Sequence, residues 1–140
     1  MSFWIIKTEP NTYSLDDFER DQITCWDGVR NYQARNNLRL MKVHDLALVY
    51  HSVGPKELVG IAEVVKSAYA DPTAKTGDWS AVDVKFKKRL KKLVTLAEIK
   101  ATPSLSDLKL VTQGRLSVAL LNEPQWRILL KMADTELKNA

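Results

Sequence analysis

The sequence predicts an α+β domain, a small β-barrel of mixed topology with helices packed around it. Three observations carry this reading. Strand-like segments cluster in the middle of the chain without regular βαβ alternation, which argues against a doubly wound sheet. Val82, Val84 and Phe86 alternate with Asp83, Lys85 and Lys87, the period of a half-buried strand with one charged face. Ala34, Leu38 and Met41 fall on one helical face and Arg35, Arg39 and Lys42 on another, so the chain from about Asn31 to Met41 reads as an amphipathic helix. Closing the sheet would also remove its edges.

The remaining elements follow in chain order. Phe3 to Lys7 is apolar and β-prone and opens the chain as a strand. Ser14 N-caps the short helix LDDFERD, whose Asp16 and Asp17 sit where the helix dipole favours negative charge. Asp27-Gly28 is a turn signal. LALVYHS, residues 46–52, reads as a buried strand, SVGPKE as a turn and Leu58 to Val65 as the next strand. A polar loop around ADPTAKTGDW leads into the charged-face strand. Thr95 and Glu98 have capping-box spacing and start the helix TLAEIKA. Leu105 to Leu108 forms another helical turn, and Leu116, Val118 and Leu120 alternate as a late strand. Asn122 caps the last helix, with Pro124 in its first turn and Trp126, Leu129 and Leu130 on its buried side.

At 140 residues the chain is read as one domain, 1–140, long enough to bury a core without disulfides or metal. Cys25 is the only cysteine, which excludes an intramolecular disulfide and a cysteine-based zinc site and suits a reducing compartment. The longest apolar runs fall far short of a membrane span, and MSFWIIKTEP lacks the pattern of a signal peptide. The expectation is therefore a cytoplasmic protein with no membrane partner, nucleoid-associated if DNA is its target. The segment KFKKRLKK, residues 85–92, carries six basic residues and no acid; against a net charge of +4, the rest of the chain is net negative. Such a local patch is the footprint of a polyanion partner or simply a solvated face.

No catalytic signature is present: no phosphate-cradling glycine loop, no HExxH, no GxSxG. His51-Ser52 invites a hydrolase reading, and Cys25 a nucleophile with His51 as its base. A strand-end pair that only hydrogen-bonds and a small buried thiol are the commoner states of such residues. The block CWDGVRNYQARNNLRL, residues 25–40, is more informative. It crowds aromatics, amides and guanidinium groups where packing alone favours aliphatics. A base is read by stacking on an aromatic face and by hydrogen bonds to its Watson–Crick edge. Trp26, Tyr32 and Trp79 are candidate platforms; Asn31, Ser52 and Thr8 are candidate edge readers; Lys7 and Arg30 are candidates for an exocyclic oxygen or a phosphate. An isolated aromatic is more often core, but a tight turn flanked by Asp, Arg and Asn favours a binding role. Trp4 and Trp126, with apolar neighbours, read as core.

Four separated blocks resemble one family: WIIKTEP at 4–10, WDGVRNYQARNNLR at 26–39, LVYHS at 48–52 with VGIAEV at 59–64, and GRLSVALLNEPQW at 114–126. The chain is similar over nearly its whole length, in the same order, to the EVE domain family, the thymocyte-nuclear-protein-like branch of the PUA-like superfamily. It departs from the family pattern at His44, where many such domains carry a Gly before the Asp. It departs again at Gly114, where a bulkier polar residue is expected. The resemblance implies a PUA-like pseudo-β-barrel of five to six mostly antiparallel strands with flanking short helices. It also implies a concave pocket for a flipped modified base, in a reader with neither cofactor nor catalysis. Carried onto this chain, the implied base pocket comprises Lys7, Thr8, Glu9, Trp26, Val29, Arg30, Asn31, Tyr32 and Ser52. Arg115, Leu116 and Ser117 close it from the C-terminal side.

The function expected is thus a non-enzymatic nucleic-acid reader in which Trp26 stacks on an extruded base. Modified cytosine in DNA is the favoured target. The alternatives are an RNA-binding module and an enzyme on a nucleotide or small metabolite. Arg35, Arg39 and Lys42 on the helix, with Lys85 and Lys87 on the charged strand, are the expected phosphate contacts. Any effector protein is expected as a separate chain.

Overall fold

The structure, a computed structural model, describes residues 1–137. Its elements are β1 (Phe3–Thr8), α1 (Leu15–Asp21), β2 (Ile23–Trp26), α2 (Tyr32–Leu40), β3 (Leu46–His51), β4 (Glu57–Ala70) and β5 (Ser80–Thr95). Then come α3 (Leu96–Lys100), a 3₁₀ turn (Pro103–Leu105), α4 (Lys109–Thr112), β6 (Val118–Leu121) and α5 (Glu123–Met132). The six strands form one sheet in the order β2-β5-β4-β3-β1-β6. Only β1 and β3 run parallel, Phe3 opposite Leu46 through Thr8 opposite His51. A parallel pair needs a long crossover, and α1, β2 and α2 supply it.

The sheet curls rather than closes. β2 and β6 keep free edges, and α2 fills the gap by packing on β4, β5 and β6. Asn37 Nδ2 donates to the Val118 carbonyl at 2.7 Å, and Arg39 Nε donates to Ser80 Oγ at 2.9 Å. One helix thus ties the β6 edge to β5, across the three strands that separate them in the sheet. Ala34, Leu38 and Met41 turn inward from it, fully buried. The expected pseudo-β-barrel of six mostly antiparallel strands with flanking short helices is present, and a nine-residue helix, not strand pairing, bridges its opening.

Each face of the sheet has its own core. One gathers Trp4, Ile6, Phe18, Trp26, Leu38, Val84 and Val118 under α1 and α2. The other gathers Ile5, Leu48, Tyr50, Leu58, Ile99, Leu108 and Trp126 under α3, α4 and α5. Alternation along β1 sends Ile5 to one and Ile6 to the other. In β5 the register shifts between Phe86 and Lys88, so Phe86 packs in the first core and Leu90 in the second. Gly60 lets α1 lie close on β4, because a Cβ there would stand 2.6 Å from a Leu15 methyl.

The capped helices form as their sequences predict: Ser14, Thr95 and Asn122 each complete a capping box. Two expectations need correction. Ile23–Trp26 is a strand that the sequence does not announce, because four residues of mixed polarity are held extended only by pairing with β5. Leu120 is exposed, while Val118 and Ala119 are buried, so the late strand does not alternate as expected. Its two faces meet different neighbours, α2 on one side and the second core on the other.

Candidate nucleic-acid interface

A cleft of about 320 Å³ opens where the end of β1 and the turn after it meet β2. Lys7, Thr8, Thr12 and Tyr13 line one side; Thr24, Cys25, Trp26 and Asp27 line the other. The turn is set locally. The Glu9 carbonyl accepts from Thr12 N and Tyr13 N, and Thr8 Oγ1 donates to the Tyr13 carbonyl. Trp26 stands opposite Val82 across the β2–β5 pair, and Tyr13 and Phe18 pack against it edge-on at 6.3 and 6.2 Å. It is only 7% exposed, so it is as much a core residue as a cleft wall.

Beyond Trp26 the chain turns at Gly28, which takes φ +78°, a conformation glycine adopts without strain. The buried carboxylate of Asp71 holds this turn. It accepts from Gly28 N at 2.8 Å, Arg30 Nη1 at 2.9 Å and both N and Oγ1 of Thr73. Burial alone would raise its pKa, but the hydrogen bonds from Thr73, Arg30 and Gly28 outweigh burial and hold it well below the usual carboxylate range. Asn31 then caps α2, its side chain accepting from Ala34 N. Tyr32, two-thirds exposed, stacks on Trp79 with ring centroids 5.1 Å apart. Arg35 lies 5.0 Å from the Tyr32 ring, and Arg30 5.5 Å from Trp79.

Against that geometry stand the comparisons. The EVE domain model matches residues 2–132. The chain belongs to the EVE domain family. Mouse thymocyte nuclear protein 1 is 36% identical over 96% of this chain and 75% of its own length. A crystal structure of human THYN1 in complex with 5-methylcytosine-containing DNA is 33% identical, covers 98% of this chain and all of that one, and superposes with a TM-score of 0.89. An Agrobacterium tumefaciens protein of known structure is 36% identical over 96% of this chain and 94% of its own, with a TM-score of 0.92. A yeast YTH domain, 17% identical with a TM-score of 0.61 over 98% of this chain and 88% of its own, shares the fold.

In this EVE domain only Lys7, Thr8 and Trp26 of the expected pocket residues line the cleft. Glu9 is exposed beside it and contributes its carbonyl to the turn. Arg30, Asn31 and Tyr32 lie along the α2 entrance, Arg30 engaged by Asp71 and Asn31 by its cap. Val29 and Leu116 are core, a correction that follows from their apolar side chains. Ser117 acts through its carbonyl, which accepts from Lys7 N; Arg115 is exposed before β6. Ser52 lines a separate pocket. Thr12, Tyr13, Thr24 and Asp27 are the lining residues that sequence reasoning missed. Asp27 was legible as turn chemistry, whereas Thr24 reaches the cleft only because β2 pairs with β5.

The basic side chains divide. Arg35 and Arg39 reach the loop before β5: Arg35 donates to the Asp78 carbonyl, and Arg39 pairs with the Asp78 carboxylate at 2.7 Å. Lys42 is exposed just past α2. Lys85 alternates with Val84 and Phe86, so it projects from the sheet face opposite the one Trp26 packs on. Lys87 lies 3.2 Å from Glu63. Arg89 pairs with Asp16 and Glu19 of α1, and Lys92 with Glu98. Much of the basic run is thus neutralised locally, and by strand alternation Lys85 lies on the far face from Trp26.

The residues of the enzymatic alternative are engaged structurally. His51 Nε2 accepts from Leu15 N at the start of α1, and burial lowers its pKa. Ser52 Oγ donates to the Thr8 carbonyl. Burial raises the Cys25 thiol pKa, away from the reactive thiolate. Among the described residues no helix is long and apolar enough to cross a membrane. No cluster of side chains suited to a metal ion is found among them.

Proposed function

We propose that this EVE domain reads a modified base in nucleic acid, with modified cytosine in DNA as the target class, and that it binds without turnover. The observation that carries the reading is the cleft: small, with an aromatic ring, threonine hydroxyls and a charged group on each side. It lies in a chain related over 98% of its length to the human THYN1 chain crystallised in complex with 5-methylcytosine-containing DNA. About 320 Å³ is at the lower limit of ligand pockets and suits one base rather than a larger molecule. In this reading Asp27 accepts from the cytosine 4-amino group, the pairing that a carboxylate makes with that donor. Lys7 and the threonines meet the remaining edge, and Trp26 and Tyr13 supply the apolar wall. Tyr32 and Trp79 form a stacking surface for a neighbouring base, while Arg35, Arg39 and Lys42 face the backbone. The structural hydrogen bonds of His51 and Ser52 and the raised thiol of Cys25 support binding rather than catalysis.

The test is a labelled panel of matched DNA and RNA strands at fixed salt, with plain, 5-methyl- and 5-hydroxymethylcytosine and N6-methyladenine. Tighter binding to a modified-cytosine DNA is expected, with affinity for every cytosine member weakened in Asp27→Ala; one such readout is worth about 1–3 kcal/mol. Equal, salt-sensitive binding to every member overturns the reading. Preference for the RNA members would reassign the target through the 2′-hydroxyl.

A further inference from the structure

A second pocket, of about 190 Å³, lies on the other side of the β1 end, beneath the turn before β6. Lys7, Lys56 and Lys100 line it, with apolar walls from Leu96, Leu110 and Val111. Among the described residues no carboxylate lines it. Lys7 Nζ lies 2.8 Å from the Gly114 carbonyl and 5.7 Å from the centre of the Tyr50 ring. Neither Lys56 nor Lys100 has a carboxylate partner among the described residues. Three lysines therefore line one apolar-walled space, and no described carboxylate lines it with them. The Lys7 ammonium registers this: burial first, and the charge of Lys56 second, lower its pKa.

Tyr50 supplies an independent observation. It is 2% exposed and lines the same pocket, and its hydroxyl is the one buried side-chain polar atom among the described residues without a hydrogen-bond partner. A buried hydroxyl left unpaired is costly, and phenylalanine would pack there without the penalty. An unpaired hydroxyl in a pocket that three lysines line is matched by an acceptor-rich anion. A phosphate fits, because it takes charge-assisted bonds from ammonium groups and a further bond from a hydroxyl.

We propose that Lys7, Lys56, Lys100 and Tyr50 form a phosphate subsite, which takes a backbone phosphate of the strand whose base enters the cleft. Lys7 lines both cavities and is the link between them. The strand connection rests on the reader assignment; the anion site itself does not. None of the basic residues singled out in the sequence lies here except Lys7. Lys56 sits in the turn between β3 and β4, and Lys100 stands at the end of α3, whose Ile99 packs in the same core as Tyr50.

The first measurement is titration of the intact protein with inorganic phosphate, followed by backbone amide NMR. Saturable shifts confined to the neighbourhood of Ser52, Lys56 and Gly114 are expected. Phosphate affinity should fall about tenfold in Lys56→Gln/Lys100→Gln, as two charge-assisted contacts are lost. It should also fall several-fold in Tyr50→Phe, with the unfolding midpoint unchanged or raised; a merely structural hydroxyl would lower that midpoint. No saturable shift, or unchanged phosphate affinity in either variant, overturns the site. The second measurement uses a 5-methylcytosine DNA strand. Displacement of phosphate by the strand, and a salt slope lower by roughly 0.7–0.9 in the lysine variant, as one phosphate contact is lost, support the strand connection. A strand that binds through the cleft without displacing phosphate overturns that connection and leaves a site for a free anion. Phosphate binding with no strand binding would instead fail the reader assignment alone.

Discussion

The Arg30 guanidinium lies 2.9 Å from the carboxylate of Asp71, 41 residues further along the chain. The same carboxylate accepts from Gly28 N, so one buried side chain fixes the turn that connects the cleft wall at Trp26 to the start of α2. Asp71→Asn should therefore lower stability by about 2–3 kcal/mol, through lost charge-assisted bonds, in urea unfolding. It should also broaden or shift the amide signals of residues 27–31. A variant as stable as the parent would mean that the loop holds itself.

His51 predicts a pH dependence. Its Nε2 accepts from Leu15 N, which only the neutral ring can do, and burial lowers its pKa. A depressed folded-state value means that the stabilisation is fully present above the unfolded pKa, about 6.5, and is lost as pH falls through the folded value. The stability difference between the parent and His51→Phe, measured by denaturant unfolding, should shrink between pH 7.5 and pH 5. A constant difference would show that the ring contributes by packing alone.

His44 occupies a left-handed conformation, φ +80°, which glycine adopts without strain. Its ring is exposed and lies 2.8 Å from Glu63. That exposed contact is worth little, whereas a non-glycine residue at positive φ costs on the order of 1 kcal/mol. His44→Gly should be neutral to about 1 kcal/mol stabilising by thermal unfolding. The hydrogen bond from His44 is the leading cause of the lowered Glu63 pKa, so the variant should raise that pKa in an NMR titration. Clear destabilisation would assign the imidazole a larger role.

The two aromatic sites should separate experimentally. Trp26→Ala removes a core side chain and should cost about 3–5 kcal/mol of stability, which makes it a poor probe of binding by itself. Tyr32→Ala removes an exposed ring whose stack on Trp79 is worth about 0.5–1.5 kcal/mol. It should leave the fold intact and weaken strand binding by about 1–3 kcal/mol if a neighbouring base stacks there. Fluorescence anisotropy with the folded variant reads this directly, and unchanged affinity would reduce the pair to surface packing.

The local elements were legible in the chain because local physics specifies them. Ser14, Thr95 and Asn122 announce helix starts through capping, Ala34, Leu38 and Met41 announce a buried helix face, and Val82, Val84 and Phe86 announce a strand. The blocks around Trp4, Trp26, Val49 and Trp126 were enough to indicate the family. The cleft itself was only partly legible. Lys7, Thr8 and Trp26 stand at element ends where the motif carries information, but Thr24 depends on the pairing of a strand too short to declare itself. Leu116 and Ser52 belong to the right blocks and face other spaces. What the tertiary structure alone decided was direction and company. A register shift in β5 turned Arg89 toward α1, and α2 rather than strand pairing bridged the open sheet. The β3–β4 hairpin and the placement of α3 put Lys56 and Lys100 in one pocket with Tyr50. Capping and periodicity act within a few residues, whereas the face a side chain meets depends on pairing and packing between residues tens of positions apart.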